Sequence, residues 1–448
     1  IMQDDMKTQL LTKPPKQLLI QLSIPAVMGM FVIGLYPLMD GIFAGQIIGQ
    51  VAMAACGVAM PLTYINSGIA TLLGMGSASV LARALGKGDQ GVVNKVMGNL
   101  IFWVLVCSAI TTVGGLLLAP YFLDLVGATG EIKALGIRYL HIIFLGSVFV
   151  NFTQSANMVI RGEGLMKKAM LIMALGAAMN IALDPILMMA LGDYAIEGAA
   201  LATVLSQITQ ALVTYHYFCK QSQQVKIGPI RIEKELSGQV FSVGVSAMMM
   251  QLLFMIQQTL LYKMAFQYGG EMHGTLMAAA IRMYGFSFIP LWGMSQGLQP
   301  VVGTNFGAKR YDRVAASVRV FSWGGLLLAG FFWILALALP GQILQLFGVE
   351  ASLIAQGVGY FRLFYMSFVL YGVMVMAVTF FQAIGDGKKA SLIVLGRQLV
   401  VFVPLALLLP QWLGVAGVWL AQPLVDTVII LIGVWLMISE IRKFPASA

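Results

Sequence analysis

The chain has 448 residues, of which 59% are apolar and 10% are charged, and its formal net charge is +9. An ordinary soluble domain has about 25% charged residues, so this chain has too few to cover a water-exposed surface. The composition therefore excludes a soluble enzyme and predicts a membrane protein with many spans. Because the apolar segments are much longer than the ~10 residues of a transmembrane β-strand, a barrel is excluded as well.

Twelve apolar segments follow one another along the chain, and each is long enough to cross a bilayer as a helix. Several reach about 30 residues, more than the ~20 that a crossing needs, so we expect tilted or bent helices. The predicted helices cover residues 16–45, 53–85, 92–118, 131–160, 166–191, 197–219, 234–267, 276–306, 314–339, 351–383, 388–410 and 414–440.

Lysine and arginine are concentrated in every second gap between these segments. The gaps near 86–91, 161–168, 220–234, 307–313 and 384–389 hold most of them, together with the two ends of the chain. The alternate gaps, near 46–52, 119–130, 192–196, 268–275, 340–350 and 411–413, hold none. The positive-inside rule therefore predicts that both termini are cytoplasmic. The net positive charge therefore faces the anionic lipid headgroups, and it does not require nucleic acid as a partner.

The two halves of the chain resemble each other at an offset near 221 residues. Leu85-Gly86 matches Phe306-Gly307, and Tyr139 matches Tyr360. The loop 161–164 is matched with 384–387. Six helices per half predict a parallel repeat, which is typical of transporters. The predicted parts are a tail at 1–15, an N-lobe at 16–220, a linker at 221–233, a C-lobe at 234–440 and a tail at 441–448.

The sequence contains no G-x-x-x-x-G-K-[ST] loop for nucleotide phosphates. We therefore expect an ion gradient rather than ATP to supply the energy, and no cofactor. A membrane enzyme would need paired catalytic groups, and none is visible. A channel is disfavoured because the duplicated chain has no filter sequence.

Three acids lie deep in apolar segments: Asp40, Asp184 and Asp426. Each costs on the order of 2.5–3.5 kcal/mol at a helix centre, so each needs a proton, a partner or water. Asp40 and Asp184 are predicted at similar depth in the outer half of the bilayer. If they share one pocket, both cannot ionise cheaply, and the pair becomes a candidate proton carrier. The alternative is that each only bonds to a neighbouring helix.

Polar neighbours of these acids complete the predicted coupling site. Asn180 lies four residues before Asp184 and can donate a hydrogen bond to it. Pro185 removes a backbone donor and frees the carbonyl of Ile181. The fourth and sixth helices add further polar groups, among them Tyr139, Asn157 and Thr203. For Asp426, an ion pair with Arg397 in the preceding helix is favoured.

The 29 methionines predict a flexible apolar wall that accepts many ligands, although core filling accounts for most of them. Those near the acids include Met28, Met30, Met173 and Met179. Such walls with one or two carboxylates would attract lipophilic cations. In the first helix, Pro25 and its neighbouring glycines predict a bend, either static or moving during transport.

These motifs resemble the MATE (multidrug and toxic compound extrusion) family, and most closely its DinF-like branch. The resemblance rests on SIPAVMGM, LYPLMDGIFAG and the Asn180/Asp184-Pro185 motif, and it covers the whole chain. It implies an all-α fold of twelve transmembrane helices in two pseudo-symmetric six-helix bundles, arranged as a V. It also implies proton-coupled export of drugs and dyes. In that branch, positions matching Asp40 and Asp184 hold the ion.

The resemblance also implies that Asn180, Tyr139 and Thr203 join the network of the two acids and that Pro25 is a bending site. Sodium, held by Asp40, Asn180 and Asp184, remains the alternative ion. A second-lobe sodium site is disfavoured because 236–270, 272–311 and 351–385 contain no acid. A lipid or lipid-linked oligosaccharide flippase is the alternative function. We expect a monomer in the bacterial inner membrane, with small-molecule substrates and no metal other than the coupling ion.

Overall fold

The computed structural model describes residues 2–125, 128, 130–222, 224–346 and 349–445, and it is helical with no strand among them. The first half begins with an unpredicted short helix. Its helices are α1 (Met2–Thr12), α2 (Pro15–Phe43), α3 (Gln50–Lys87), α4 (Gln90–Leu125), α5 (Gly130–Leu145), α6 (Ser147–Gly162), α7 (Met166–Leu191) and α8 (Ala195–His216). Single π-helical turns extend α2 over Ala44–Ile48 and α8 over Tyr217–Gln221.

The second half repeats this pattern with more interruptions. Its helices are α9 (Lys234–Gly307), α10 (Tyr311–Ala338), α11 (Pro340–Leu346), α12 (Ala351–Tyr365), α13 (Phe368–Ala383), α14 (Gly387–Leu395), α15 (Phe402–Leu413) and α16 (Val415–Arg442). Gly270, with φ 71° and ψ −164°, breaks α9 into two helices. A π-helical turn, Gly396–Val401, joins α14 to α15.

The predicted number of crossings fits these helices. Ten stretches of the described residues are long and apolar enough to span a membrane, and α5 with α6 form an eleventh that is bent by 56°. One stretch, Met166–Gln221, contains both α7 and α8, which pack side by side. Counting these two helices separately gives the twelve crossings that the sequence predicts.

The chain forms two compact units. Unit 1 comprises residues 1–9 and 28–244, and unit 2 comprises residues 10–27 and 245–448. The boundaries between the units fall inside α1, α2 and α9. Within unit 1, a buried apolar cluster contains Cys56, Tyr139 and Met188, and it holds α3, α5 and α7 together.

Corresponding helices of the two halves begin 221 residues apart. Gln90 and Tyr311 start α4 and α10, and Ser147 and Phe368 start α6 and α13. The turn after α13 shows that the predicted loop alignment is wrong by two residues. Gly164 and Gly385, not Gly387, share φ of +86°. Their N–H groups donate to the carbonyls three residues earlier. The sequence alone shows that both turns contain glycines, but it does not show which glycine adopts the left-handed backbone.

Candidate ion and substrate site

The side chains of Asp40 and Asp184 lie within hydrogen-bonding reach of each other inside unit 1. Asp40 is in the last turn of α2, and Asp184 is in α7. Their residues are 8% and 0% exposed, so neither carboxylate is hydrated as it would be at a surface. Two ionised carboxylates have only acceptor atoms, so at this distance they repel each other unless a proton or a cation lies between them. The arrangement is therefore a candidate site for an exchangeable proton or cation.

Tyr139 of α5 contacts Asp40. Its hydroxyl donates to Oδ2 of Asp40 over 3.4 Å, and its side chain is buried. A phenol that donates to a carboxylate stabilises the ionised form without adding a charge. The structure thus places the Tyr139 hydroxyl on Asp40, and a role of Tyr139 in ion coupling stays a prediction.

The amide of Asn180 does not bond to Asp184, in contrast to the prediction. It donates instead to Oγ1 of Thr203 on α8, at 3.2 Å, and Thr203 in turn lies 3.3 Å from the carbonyl of Ala199. The i,i+4 spacing on α7 made the Asp184 contact available, but the facing hydroxyl of α8 supplies a competing acceptor. Asn180 and Thr203 therefore form a cross-helix link one turn from the carboxylates.

Several oxygens of this cluster meet no donor in the described part of the chain. They are Oδ1 of Asp40, both carboxylate oxygens of Asp184, and Oδ1 of Asn180. Buried acceptors without a donor are costly, by roughly 1–3 kcal/mol each and more when charged. A concentration of unpaired oxygens is the ligand set that a proton, a small cation or a water molecule would satisfy.

No lysine or arginine of the described residues pairs with Asp40 or Asp184. Arg138, one residue before Tyr139, is paired with Glu197 instead. Sequence reasoning missed one neighbour of the acids, Cys56 of α3, which is buried and lies near both carboxylates. Its apolar surroundings in the sequence gave no sign of this position.

A small cavity of about 50 Å³ lies within unit 1, and neither acid is part of its wall. Asn180 and Thr203, which bond to each other, belong to this wall, and Asn180 is one turn of α7 from Asp184. Its walls are mostly amides, hydroxyls and small apolar groups, without lysine or arginine. The lining residues are Ile33, Val150, Gln154, Met173, Gly176, Ala177, Asn180, Thr203, Ser206, Gln207 and Gln210.

Gly176 makes the wall of this cavity possible. A Cβ atom at this position would lie 1.8 Å from Nε2 of Gln210. With glycine there, the Gln210 amide reaches across to α7 and donates to the carbonyls of Met173 at 3.2 Å and Ile172 at 3.4 Å. The close approach of α7 and α8 is typical of membrane helices that pack through small residues.

Of the four methionines predicted to bind substrate, Met173 lines the cavity. Met28 is 64% exposed on α2, and Met30 and Met179 are partly exposed; none of these three is part of its wall. Proximity along the sequence to an acid did not determine the face of the helix on which each side chain lies.

Asn157, predicted to belong to the coupling site, lies elsewhere. Its amide donates to the carbonyl of Ala169 at 2.8 Å, and its Oδ1 accepts from Nε of Arg161 at 3.0 Å. Both residues are buried near the end of α6 that leads into the 163–165 turn. The side chain therefore fixes this turn to α7 and does not contact the acids.

Glu163 of the same turn is a buried acid that sequence reasoning left unassigned. The hydroxyl of Tyr217 donates to its Oε2 at 3.2 Å. Burial raises the pKa of Glu163 to about 8, and the hydrogen bond from Tyr217 offsets part of that rise. The carboxyl group of Glu163 therefore changes its charge near neutral pH.

Pro25 lies within an uninterrupted α2, which is helical from Pro15 to Phe43. The change of backbone geometry comes at the other end, where the π-helical turn Ala44–Ile48 follows Asp40 by one turn. Such turns are frequent at functional sites. The bending role of Pro25 stays a prediction.

Unit 2 contains the predicted ion pair between Arg397 and Asp426. Nε of Arg397 lies 2.8 Å from Oδ1 of Asp426, and both residues are buried. The hydroxyl of Tyr284 donates to the other carboxylate oxygen at 3.0 Å. The guanidinium also lies 4.7 Å from the ring centre of Tyr371. This acid is neutralised and fully engaged, which confirms the structural interpretation of Asp426.

Twelve apolar crossings in the described residues, and two buried carboxylates without a basic partner among them, are the features of an integral-membrane transporter. The MatE family model matches residues 25–186 and 246–408, and the chain belongs to this family. The two matched segments lie in successive halves of the chain, as the repeat predicts.

Individual relatives agree with this assignment. The chain is 25% identical over 416 residues to the multidrug export protein MepA of Staphylococcus aureus (strain MRSA252), covering 90% of this chain and 89% of MepA. A crystal structure of a MATE protein in the bent conformation matches with a TM-score of 0.92 and 27% identity over 98% of both chains. An outward-facing multidrug resistance MATE transporter matches with a TM-score of 0.90 and 27% identity, again over 98% of both.

Proposed function

We propose that this protein exports lipophilic, often cationic, drugs and dyes from the bacterial cytoplasm in exchange for inward protons. The observation that carries the proposal is the contact between two buried carboxylates, Asp40 and Asp184, that have no basic partner in the described chain. The similarity to MepA, which is named a multidrug export protein, supports the substrate class.

The chemistry of the pair gives a direct exchange mechanism. With protons bound, the pair is stable in its apolar surroundings. When the protons leave, uncompensated negative charge remains in a poorly hydrated site, which is costly unless a cation replaces them. A lipophilic cation bound near the pair supplies that charge, and returning protons remove the attraction and release it. Protons and substrate thus compete for one charge.

Alternating access would carry this exchange across the membrane. The protons would enter from the outer side, where the sequence predicts both acids to lie. The amides and hydroxyls around the cavity, such as Gln154, Ser206 and Gln207, would accommodate varied substrates without demanding a fixed geometry. We propose that the protein works as a monomer in the inner membrane with both termini in the cytoplasm.

Sodium is the second candidate ion. The unpaired oxygens of Asp40, Asn180 and Asp184 are hard ligands of the kind that small cations prefer. A lipid flippase is less favoured, because the cavity wall offers no lysine or arginine to bind a phosphate.

Dye efflux from a pump-deficient bacterial strain tests the proposal. Asp40→Asn and Asp184→Asn should reduce efflux to background at unchanged membrane expression. The matched control is Asp193→Asn, which changes an exposed acid without a side-chain partner in the described chain and should keep wild-type efflux. A protonophore should stop wild-type efflux, and removal of sodium should not.

Retained efflux in both carboxylate variants would contradict the proposal. Loss of efflux on removal of sodium, with persistence in a protonophore, would replace the proton by sodium. Transport of fluorescent phospholipid analogues without dye efflux would favour the flippase.

A further inference from the structure

Unit 2 contains a large concave surface, which is separate from the site in unit 1. It is a groove of about 900 Å³ between α10 and α16, with α13 as its floor. Drug-sized sites usually occupy roughly 300–1,000 Å³, so this groove lies at the upper end of that range. Its lining is almost entirely apolar side chains, including Leu370 and Val373 of α13.

Two close helix contacts create the groove. α10 crosses α13 at Gly325 and Gly372, where a Cβ on Gly372 would lie 2.3 Å from the carbonyl oxygen of Gly325. Because the backbones touch here, α13 is recessed between its neighbours. Its other side packs against α16 near Gly433. The side chains of α10 and α16 therefore stand out as two walls.

The walls bear an aromatic residue and an arginine each. α10 contributes Arg319 and Trp323, four residues apart on one face, and α16 contributes Trp435 and Arg442, seven residues apart on one face. Both tryptophans are largely exposed, at 64% and 66%. On each helix the arginine lies nearer than the tryptophan to the predicted cytoplasmic end.

The surface around the groove continues as exposed apolar residues. Trp323, Leu327 and Phe331 follow one another at four-residue spacing on α10, and all are more than half exposed. In a membrane protein such a stripe is in contact with lipid tails. Tryptophan at its end is typical of the interface between the tails and the headgroups.

The arginines lack internal counter-charges. Neither Arg319 nor Arg442 forms an ion pair with an acid in the part of the chain that the structure describes. The nearby acids are engaged elsewhere, Glu440 with Lys389 and Asp312 with Arg310. Two free guanidinium groups at the mouth of an apolar groove are complementary to a phosphate that carries hydrocarbon chains.

We propose that this groove binds an anionic phospholipid of the cytoplasmic leaflet, with its phosphate held by Arg319 and Arg442 and its acyl chains lying between α10 and α16. The tryptophans Trp323 and Trp435 contact the upper part of the chains. A zwitterionic lipid fills the same space but gains less from the two arginines.

Tryptophan quenching by brominated lipid tests this site in the full chain. The protein is placed in phosphatidylcholine nanodiscs with a minor fraction of brominated phosphatidylglycerol or, in parallel, brominated phosphatidylcholine. We expect stronger quenching by the anionic lipid. This excess should vanish in Trp323→Phe/Trp435→Phe, which assigns it to the groove among the seven tryptophans.

Charge variants then test the phosphate contact. Arg319→Gln/Arg442→Gln should weaken the apparent affinity for the anionic lipid on the order of twentyfold, since each basic residue contributes about a fivefold factor near a membrane. The matched control, Lys16→Gln/Lys388→Gln, removes two exposed cytoplasmic-side charges of unit 2 and should keep the excess quenching. If the arginine variant does not fold, screening by salt in the wild type should reduce the excess instead.

Three results would overturn the proposal. Equal quenching by both lipids would show that the groove does not select charge. Equal loss in the lysine control would show attraction by the whole surface. Protection of Trp323 and Trp435 from both lipids would show that another protein surface, such as a second copy of this chain, covers the groove.

Discussion

The two units treat a buried acid in opposite ways. In unit 2, Asp426 is held by Arg397 at 2.8 Å and by the Tyr284 hydroxyl at 3.0 Å. In unit 1, Asp40 and Asp184 lie close together with the phenol of Tyr139, and no lysine or arginine of the described residues pairs with either acid. A neutralised charge serves the fold because nothing needs to replace its partner. An unneutralised pair needs an external ion, and an external ion can be exchanged.

Removal of the cation in unit 2 should have the largest effect. Arg397→Met leaves Asp426 buried without its counter-ion, which costs roughly 3–5 kcal/mol. We expect little folded protein by fluorescence-detected size-exclusion chromatography. Arg397→Met/Asp426→Leu removes both charges and should recover folded protein with dye efflux. Failure of the double variant to recover would mean that the pair has a role beyond mutual neutralisation.

The same kind of change in unit 1 should act on transport and not on folding. Asp184→Asn removes a charge that has no counter-ion, so the melting temperature should stay the same or rise while efflux is lost. Thermal melting in detergent and dye efflux on the same variant measure both. A large fall in melting temperature would show that Asp184 has a fixed partner after all.

Glu163 is a further buried acid, and its contribution to stability depends on pH. Its pKa is raised from 4.5 to about 8, so between these values the folded state keeps a proton that the unfolded state has lost. Stability should therefore fall as pH rises through this window, by up to about 1.4 kcal/mol per pH unit, and level off above it.

Glu163→Gln stays neutral and can still accept from Tyr217, so its melting temperature should depend less steeply on pH between 5 and 8. Melting curves of the wild type and the variant over this range provide the comparison. Parallel curves would contradict the assigned protonation.

The smallest effect should come from Gly176→Ala. The new methyl group displaces the Gln210 amide from the Met173 carbonyl, at a cost on the order of 1 kcal/mol, and it narrows the cavity. Efflux of bulky dyes should fall more than that of small ones. Gly114→Ala, on a helix position with open space, is the matched control and should keep wild-type efflux. An equal change in both variants would argue against a role for this cavity.

Much of the fold follows from the sequence because lipid imposes strong rules. The uninterrupted apolar segments are enough to predict the twelve crossings. The placement of Lys and Arg separates these segments from one another and predicts their orientation. The Arg397–Asp426 pair is likewise predictable, because a buried acid and a buried base on adjacent helices stabilise each other. The two carboxylates were visible as well, since Asp40 and Asp184 stand in otherwise apolar surroundings.

The details of the site depend on helix rotation and on local breaks, which a single sequence does not fix. Asn180 bonds to Thr203 because α8 presents its hydroxyl there. Asn157 lies near the C-terminal end of α6, where its Oδ1 accepts a hydrogen bond from Arg161. The π-helical turns after Asp40 and within 396–401 shift the faces of the following residues, and no residue type marks them.

The most direct test of the exchangeable pair is the proton balance of the purified protein. In weakly buffered detergent solution, adding a cationic dye should displace protons from the wild type, with more released per bound dye than from Asp40→Asn or Asp184→Asn. The account predicts that release disappears when both acids are replaced while Asp193→Asn behaves as the wild type. Dye binding to the wild type without any proton release, or equal release from the double variant, would contradict it.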